Sequence, residues 1–307
     1  LFYNIFMKKF LFIFVILINS ILPSISVYFT PSKQADEEIL KVIKGAKNSV
    51  FIASYNFNYK EIIEILKNKK LDELKIFIEK ENNLPFSQSC IQVYKGSNLF
   101  HSKFIIVDNE ITIVGSGNFT KNDFHLFHNN FLIIKDKNIS EYFKEKIFSL
   151  WNNKENNKSP FLSETLEIYF SPEENLEEKI IEEIEKAKSS IYFSHFYFSS
   201  ENIARHLIDK KKKGVEINGI FERYNTSNYS TFYILNDYGI NVRKSNMAGF
   251  LHDKFFVIDE KVVITGSYNP TVSARKNYET ILILRDKEIA DKYLKEWRKL
   301  WRWESLP

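Results

Sequence analysis

The sequence predicts an α/β fold of two similar halves; if these pack about a pseudo-twofold axis, equivalent edges meet at their interface. Three observations lead there. The chain of 307 residues is 44% hydrophobic and 16% aromatic, which supplies core for one large domain or two of about 150 residues. Landmarks recur along it: Val27-Tyr28-Phe29-Thr30-Pro31 returns as Ile168-Tyr169-Phe170-Ser171-Pro172, and Val50 to Ser54 returns as Ile191 to His195. Between the landmarks, strand-like and helix-like stretches alternate, the pattern of mixed layers around a largely buried sheet. The same composition excludes a disordered or collagen-like chain.

Residues 1–26 carry no acid. Met7-Lys8-Lys9 precedes an almost unbroken apolar run from Phe10 to Ile18, and Asn19, Ser20, Pro23, Ser24 and Ser26 end it. This reads as a signal peptide of an exported protein, periplasmic or secreted, with translation starting at Met7 and cleavage near Ser24 to Ser26. The alternative is an uncleaved segment anchoring the protein to a membrane. The net charge of +4 falls to +2 without residues 1–26, too little to single out nucleic acid as a partner. A single cysteine, Cys90, excludes an intrachain disulfide framework and a cysteine-based zinc site, and it is expected to be buried.

The first half, 27–155, should run strand 27–29, helix 34–46, strand 49–55, helix 59–69 and strand 74–79. The second half, 156–307, should repeat this with helix 173–187, strand 190–197, helix 200–213 and strand 215–221. Its additional ten or so residues fit the polar stretch Arg223 to Ser230, because His101 recurs as His252 at a larger offset than the earlier landmarks. Each half should close with an amphipathic helix, 139–151 and 289–301, burying Ile147, Leu150 and Trp151 or Trp297, Leu300 and Trp301. Asn152 to Pro160 reads as the linker. Lys210 to Lys213 before Gly214 reads as a helix C-terminus with solvated cations.

Two segments carry the chemistry. His101-Ser102-Lys103 and His252-Asp253-Lys254 each have an aspartate, Asp108 or Asp259, seven positions beyond the histidine. Seven positions further begin Gly115-Ser116-Gly117-Asn118 and Gly266-Ser267-Tyr268-Asn269. One His-x-Lys-x4-Asp spacing arises by chance about once in 8,000 positions; two in equivalent places of a duplication do not. Each segment is expected to be a strand, a turn at Asn109-Glu110 or Glu260-Lys261, and a return strand. Residues two apart share a face, so histidine, lysine, serine and asparagine should point the same way. Donor-rich side chains around two imidazoles suit an oxyanion of phosphorus. No carboxylate–histidine cluster of metal-ligand spacing accompanies them, so neither a metal nor another cofactor is expected.

This pattern resembles the phospholipase D superfamily, and the likeness extends over nearly all of the chain beyond residue 26. The resemblance implies metal-independent phosphodiester cleavage through a phosphohistidine. His101 is implied as nucleophile and His252 as acid and base, with Lys103, Lys254, Asn118 and Asn269 holding phosphate oxygens. Asp108, Asp259, Ser116 and Ser267 are expected to support the site. Glu279 matches the family's imidazole-orienting glutamate, whereas Asn129 stands in the equivalent place of the first half. The substrate would be a phospholipid, with possible peripheral membrane contact; the alternative is a nuclease acting on DNA or RNA. A monomer without an obligate protein partner is expected. Of the other histidines, His125 and His128 read as surface or substrate-rim residues and His206 as partly exposed. Tyr55, Phe57 and His195 read equally as lining the cleft or packing in the core.

Overall fold

Apolar residues on alternate positions give both faces of each sheet something to bury, and the chain covers all four faces. The structure, a computed structural model, describes residues 23–303 apart from 153, 155–157 and 228–229. Most of the expected signal peptide, part of the linker and part of the Arg223–Ser230 stretch therefore lie outside the described residues.

The first half runs β1 (Ser24–Thr30), α1 (Lys33–Lys44), β2 (Ser49–Ser54), α2 (Lys60–Lys67), β3 (Glu73–Ile78), β4 (Ile91–Val93), β5 (Phe104–Val107), β6 (Ile111–Gly115), α3 (Lys121–His125), β7 (Asn129–Lys135) and α4 (Lys137–Trp151). The second runs β8 (Phe161–Leu162), β9 (Leu166–Phe170), α5 (Leu176–Lys186), β10 (Ser190–His195), α6 (Glu201–Lys212), β11 (Glu216–Phe221), α7 (Phe232–Asp237), β12 (Asn241–Lys244), β13 (Lys254–Ile258), β14 (Val262–Gly266), β15 (Thr280–Arg285) and α8 (Lys287–Trp303). The sheets share one order: β1-β7-β6-β5-β2-β3-β4 in the first, and β8-β9-β15-β14-β13-β10-β11-β12 in the second. Three strands at one end of each are parallel and the rest antiparallel.

Three cores result. Ile39 and Ile43 of α1, four apart on one helix face, pack with Ile62 and Leu66 of α2 on Ile52, Ile105 and Ile133 of the first sheet. Helices α5 and α6 cover the second sheet through Ile180, Ile184, Ile203 and Leu207. The opposite faces of both sheets share a third core, built from Phe51, Phe104, Ile106 and Leu132 of one half and Phe255, Val257 and Leu282 of the other. Helices α4 and α8 lie in it, with Phe143, Ile147, Tyr293, Trp297 and Leu300 buried, while Leu150, Trp151 and Trp301 pack at its margin. Because this central core spans both halves, the edges carrying the two motifs face each other.

Several expectations are corrected. Strand β1 starts three residues before the expected strand, and Ser24 to Ser26, the expected cleavage region, already pair with β7. The extra length of the second half includes α7, so it extends past Ser230 into an ordered helix. Cys90 is half-buried, because it ends a short 3-10 turn at the sheet edge. Lys210 is buried, its Nζ donating to the Glu185 carbonyl, and only the cations after it are solvated.

Candidate active site

The site is assembled from two hairpins and the loops beyond them. The β5–β6 and β13–β14 turns are centred one residue earlier than expected. Asp108 and Asn109 have φ of 52° and 56°, and Asp259 and Glu260 have 51° and 54°, so both are the left-handed central residues of a turn closed by Glu110 N–H on the Val107 carbonyl, or Lys261 N–H on that of Ile258. The aspartates are therefore part of the turns, far along the hairpins from the histidines. Asp108 accepts the backbone N–H groups of Lys47, Asn48 and Ser49 at 2.7–2.9 Å. Asp259 accepts those of Lys188, Ser189 and Ser190. These hydrogen bonds outweigh burial and hold both carboxyls below the usual carboxylate range. They bind each hairpin to the loop before β2 or β10.

At the other end of the hairpins, His101 precedes β5 and His252 precedes β13, so neither lies on a regular strand. Each is held by the other half instead. His101 N–H and Ser102 N–H both donate to the Tyr278 carbonyl at 2.8 Å, and His252 N–H donates to the His128 carbonyl at 2.8 Å. The side chains cross over as well. His101 Nδ1 is 2.9 Å from Glu279 Oε2 and 2.8 Å from Oε1. His252 Nδ1 is 2.8 Å from Asn129 Oδ1. With Nδ1 donating to these acceptors, each Nε2 keeps its lone pair, and both histidines line the opening between the halves.

That opening is a cleft of about 360 Å³ lined by His101, His252, Asn118, Asn269, Tyr55 and Glu279, with Leu99, Phe196 and Tyr197 among its apolar walls. The Oδ1 atoms of Asn118 and Asn269 are buried without a hydrogen-bond partner, so both amides have bonding capacity left over at the cleft. Lys103 and Lys254 lie beneath it, fully buried, each folded onto the carbonyl of its own motif histidine. Burial lowers both, Lys103 to about 7 and Lys254 well below its ordinary value, where Lys103 adds repulsion. Burial also lowers both imidazoles, with Glu279 opposing the shift at His101 and the two lysines reinforcing it at His252. Glu279, Asp123 and Asp253 are the carboxyls nearest the lysines, and with the two imidazoles and two amides they leave a donor-rich cleft suited to an anion.

The serines are not presented to the cleft as expected. Ser116 Oγ donates to Asn129 Oδ1 at 3.1 Å, and Ser267 Oγ donates to Glu279 Oε2, so they orient the groups that orient the histidines. Of the three undecided residues only Tyr55 lines the cleft, its ring 5.4 Å from that of His101. Phe57 and His195 are core. His195 is buried among Phe193, Phe198 and Phe256, and burial lowers it well below the ordinary histidine value. His128 is buried rather than on the rim, and burial lowers it to about 4. Among the described residues, no group of three or more His, Cys, Asp or Glu is arranged to hold a metal ion. Sequence reasoning missed Asp123, a buried carboxyl on α3 whose Oδ1 is 3.6 Å from His252 Nδ1. No motif marks it, because its position has no acid in the other half.

The family described as "Cardiolipin synthase, PLD-like domain" matches twice, over residues 39–151 and 180–301. A phospholipase D of Rickettsia prowazekii is 35% identical over 130 residues, covering 42% of this chain and 63% of that protein. A mitochondrial cardiolipin hydrolase of Mus musculus is 36% identical over 117 residues, covering 38% of this chain and 53% of that protein. The chain thus spans less than two thirds of the length of either relative. The solved phosphatidylserine synthase of Haemophilus influenzae superposes with a TM-score of 0.67 at 12% identity, covering 90% of this chain and 86% of that one, a likeness of fold.

Proposed function

This chain belongs to the phospholipase D superfamily, and from that premise we propose that it is a phosphodiesterase that cleaves phospholipid headgroup esters through a phosphohistidine, without a metal. The observation that carries the reading is the crossed pair of imidazoles. Two histidines from different halves open on one cleft, and each is fixed at Nδ1 by an acceptor of the opposite half.

In the proposed reaction His101 Nε2 attacks phosphorus and the bond from phosphorus to the leaving oxygen breaks. His252, protonated, gives its Nε2 proton to that oxygen. Water then loses a proton to His252 and attacks phosphorus, the P–N bond breaks, and the electron pair returns to His101. The nucleophile is assigned to His101 because a phosphorylated imidazole that keeps its Nδ1 proton is cationic. Glu279 offers it a full negative charge, whereas Asn129 offers His252 only a dipole. Lys103 and Lys254, with Asn118 and Asn269, stabilise the charge on the equatorial oxygens of the phosphate.

A lipid is favoured by the cleft's mouth, where Leu99 and Tyr197 are 44% and 45% exposed and Val272, next to the lining Thr271, is 63% exposed. An apolar rim of this kind is suited to an acyl-chain surface. We place the activity on an exported protein, from the pattern of residues 1–26. The test is direct. Mature protein in excess chelator should release phosphatidic acid from phosphatidylcholine or cardiolipin vesicles. Cleavage of single-stranded DNA with no lipid turnover would transfer the reading to a nuclease, and dependence on added zinc or magnesium would overturn the metal-free chemistry.

A further inference from the structure

Equivalent hydrogen bonds in the two halves identify equivalent positions around the histidines, and these expose one exchange. Thr120 Oγ1 accepts the Asp123 N–H at 3.3 Å, and Thr271 Oγ1 accepts the Ala274 N–H at 3.2 Å, so Asp123 and Ala274 are equivalent. Ser116 Oγ bonds Asn129 Oδ1 and accepts Asn130 N–H; Ser267 Oγ bonds Glu279 Oε2 and accepts Thr280 N–H. Asn129 and Glu279 are therefore equivalent too. The second half has alanine at the first position and a carboxylate at the second. The first half has a carboxylate at the first position and an amide at the second.

The relocated carboxylate stays within reach of the imidazole it faces. Asp123 is 2% exposed, and its Oδ1 lies 3.6 Å from His252 Nδ1, directly behind Asn129, whose Nδ2 is 3.5 Å from the same oxygen. We propose that Asp123 is the second acidic positioning residue of the site: it performs for His252, across the interface, what Glu279 performs for His101. This rests on the reading of His252 as acid and base. An acid must hold a proton before the leaving group takes it, and a neutral amide alone does not favour imidazolium in a buried site. A carboxylate 3.6 Å from the ring nitrogen does, while Asn129 fixes the ring; burial raises Asp123, and the hydrogen bonds from Thr120 and Asn118 and the two lysines oppose that shift.

The groups facing Asp123 are few. Lys103 and Lys254 approach from the motif strands, and His252 from the other half. The Asn118 N–H and the Thr120 hydroxyl donate to its carboxylate, while the Thr30 hydroxyl of β1 donates to its backbone carbonyl. Asp36 of α1 lies on the outer side, paired with Tyr59 and near His125. The hydrogen bonds from Asn118 and from Thr120, the N-cap of α3, define the competing role: Asp123 as a structural brace of the α3 cap.

Three variants separate the two roles. Asp123→Asn keeps the shape and an acceptor for the cap but removes the charge. On a phospholipid it should lower kcat about ten- to hundredfold with KM unchanged. The alkaline limb of the pH–rate profile, where His252 loses its proton, should move to lower pH. On a p-nitrophenyl phosphodiester, whose leaving group needs little acid help, the loss should nearly vanish. Adding Asn129→Asp should put a carboxylate directly on His252 and restore kcat and the alkaline limb. In a His252→Ala background, Asp123→Asn should change nothing further. An unshifted alkaline limb in Asp123→Asn, or a loss equal on both substrates, tracking a lowered Tm and not rescued by Asn129→Asp, would overturn the proposal and leave the cap. Undiminished activity of His252→Ala by itself would instead refute the acid–base reading on which it rests.

Discussion

At the scale of residues, the site is two imidazoles held at unequal electrostatic potential. Glu279 contacts His101 directly and opposes its lowering, whereas His252 has only an amide against its ring; burial and both lysines lower the two imidazoles alike. His101→Ala and His252→Ala should each lower turnover by at least about 10³, without additivity in the double variant, because nucleophile and acid act as one unit. Glu279→Gln should cost less, about ten- to hundredfold, as expected for loss of an orienting carboxylate; steady-state kinetics on vesicles checks both. Full activity in any histidine variant would contradict the mechanism. The motif histidines, lysines and asparagines were legible because their spacing repeats. Asp123 was not, since only three dimensions bring it to His252, and neither was the burial of Phe57 and His195, whose alternating pattern suits a cleft wall and a core equally.

At the scale of elements, the hairpins position the chemistry by fastening each end differently. Asp108 and Asp259 tie the turns to the loops before β2 and β10. Asp108→Asn should cost about 1 kcal/mol of stability, the net worth of hydrogen bonds to a carboxylate at a solvent-accessible turn, with little change in kcat. The sign with pH follows from its depressed carboxyl: the contribution is fully present above the ordinary value of 3.8 and is lost as pH falls through the lower, folded-state value. Wild type and variant should therefore converge in Tm under strongly acidic conditions; a gap that persists there would contradict the assignment. The return strands end on glycines for a separate reason. Gly266 has φ of +146°, and a Cβ on it would sit 2.1 Å from the Thr280 carbonyl oxygen, in backbone that cannot yield. Gly266→Ala should destabilise by at least about 2 kcal/mol in chemical denaturation. The order of strands and helices was readable from apolar periodicity, and boundaries missed by a few residues. The turns were misplaced by one because Asp-Asn and Asp-Glu lack the glycine that usually marks left-handed positions.

At the scale of the whole molecule, the duplication makes function a property of the interface. Each histidine is oriented by the opposite half, and one core beneath the cleft is shared by both sheets, α4 and α8. Trp297 is 4% exposed there and donates its indole N–H to the Phe193 carbonyl. Trp297→Ala should cost about 3–5 kcal/mol, and hydrogen exchange should show the loss in β5–β7 as well as β13–β15; loosening confined to the second half would show that the halves fold independently. The repeat was legible in the sequence, and so was the meeting of the two motif edges. The crossing of the orienting contacts was not, because a repeat does not say which half each side chain reaches. The central claim is that one imidazole of this crossed pair carries the phosphoryl group, and trapping that intermediate tests it most directly. Rapid quench of enzyme turning over a phospholipid labelled at phosphorus, followed by peptide mapping at alkaline pH, should place an acid-labile phosphate on His101. The label should build up in His252→Ala when the substrate has a good leaving group, and be absent in His101→Ala. Label on His252, or full turnover with no phosphoenzyme at any time, would contradict the account.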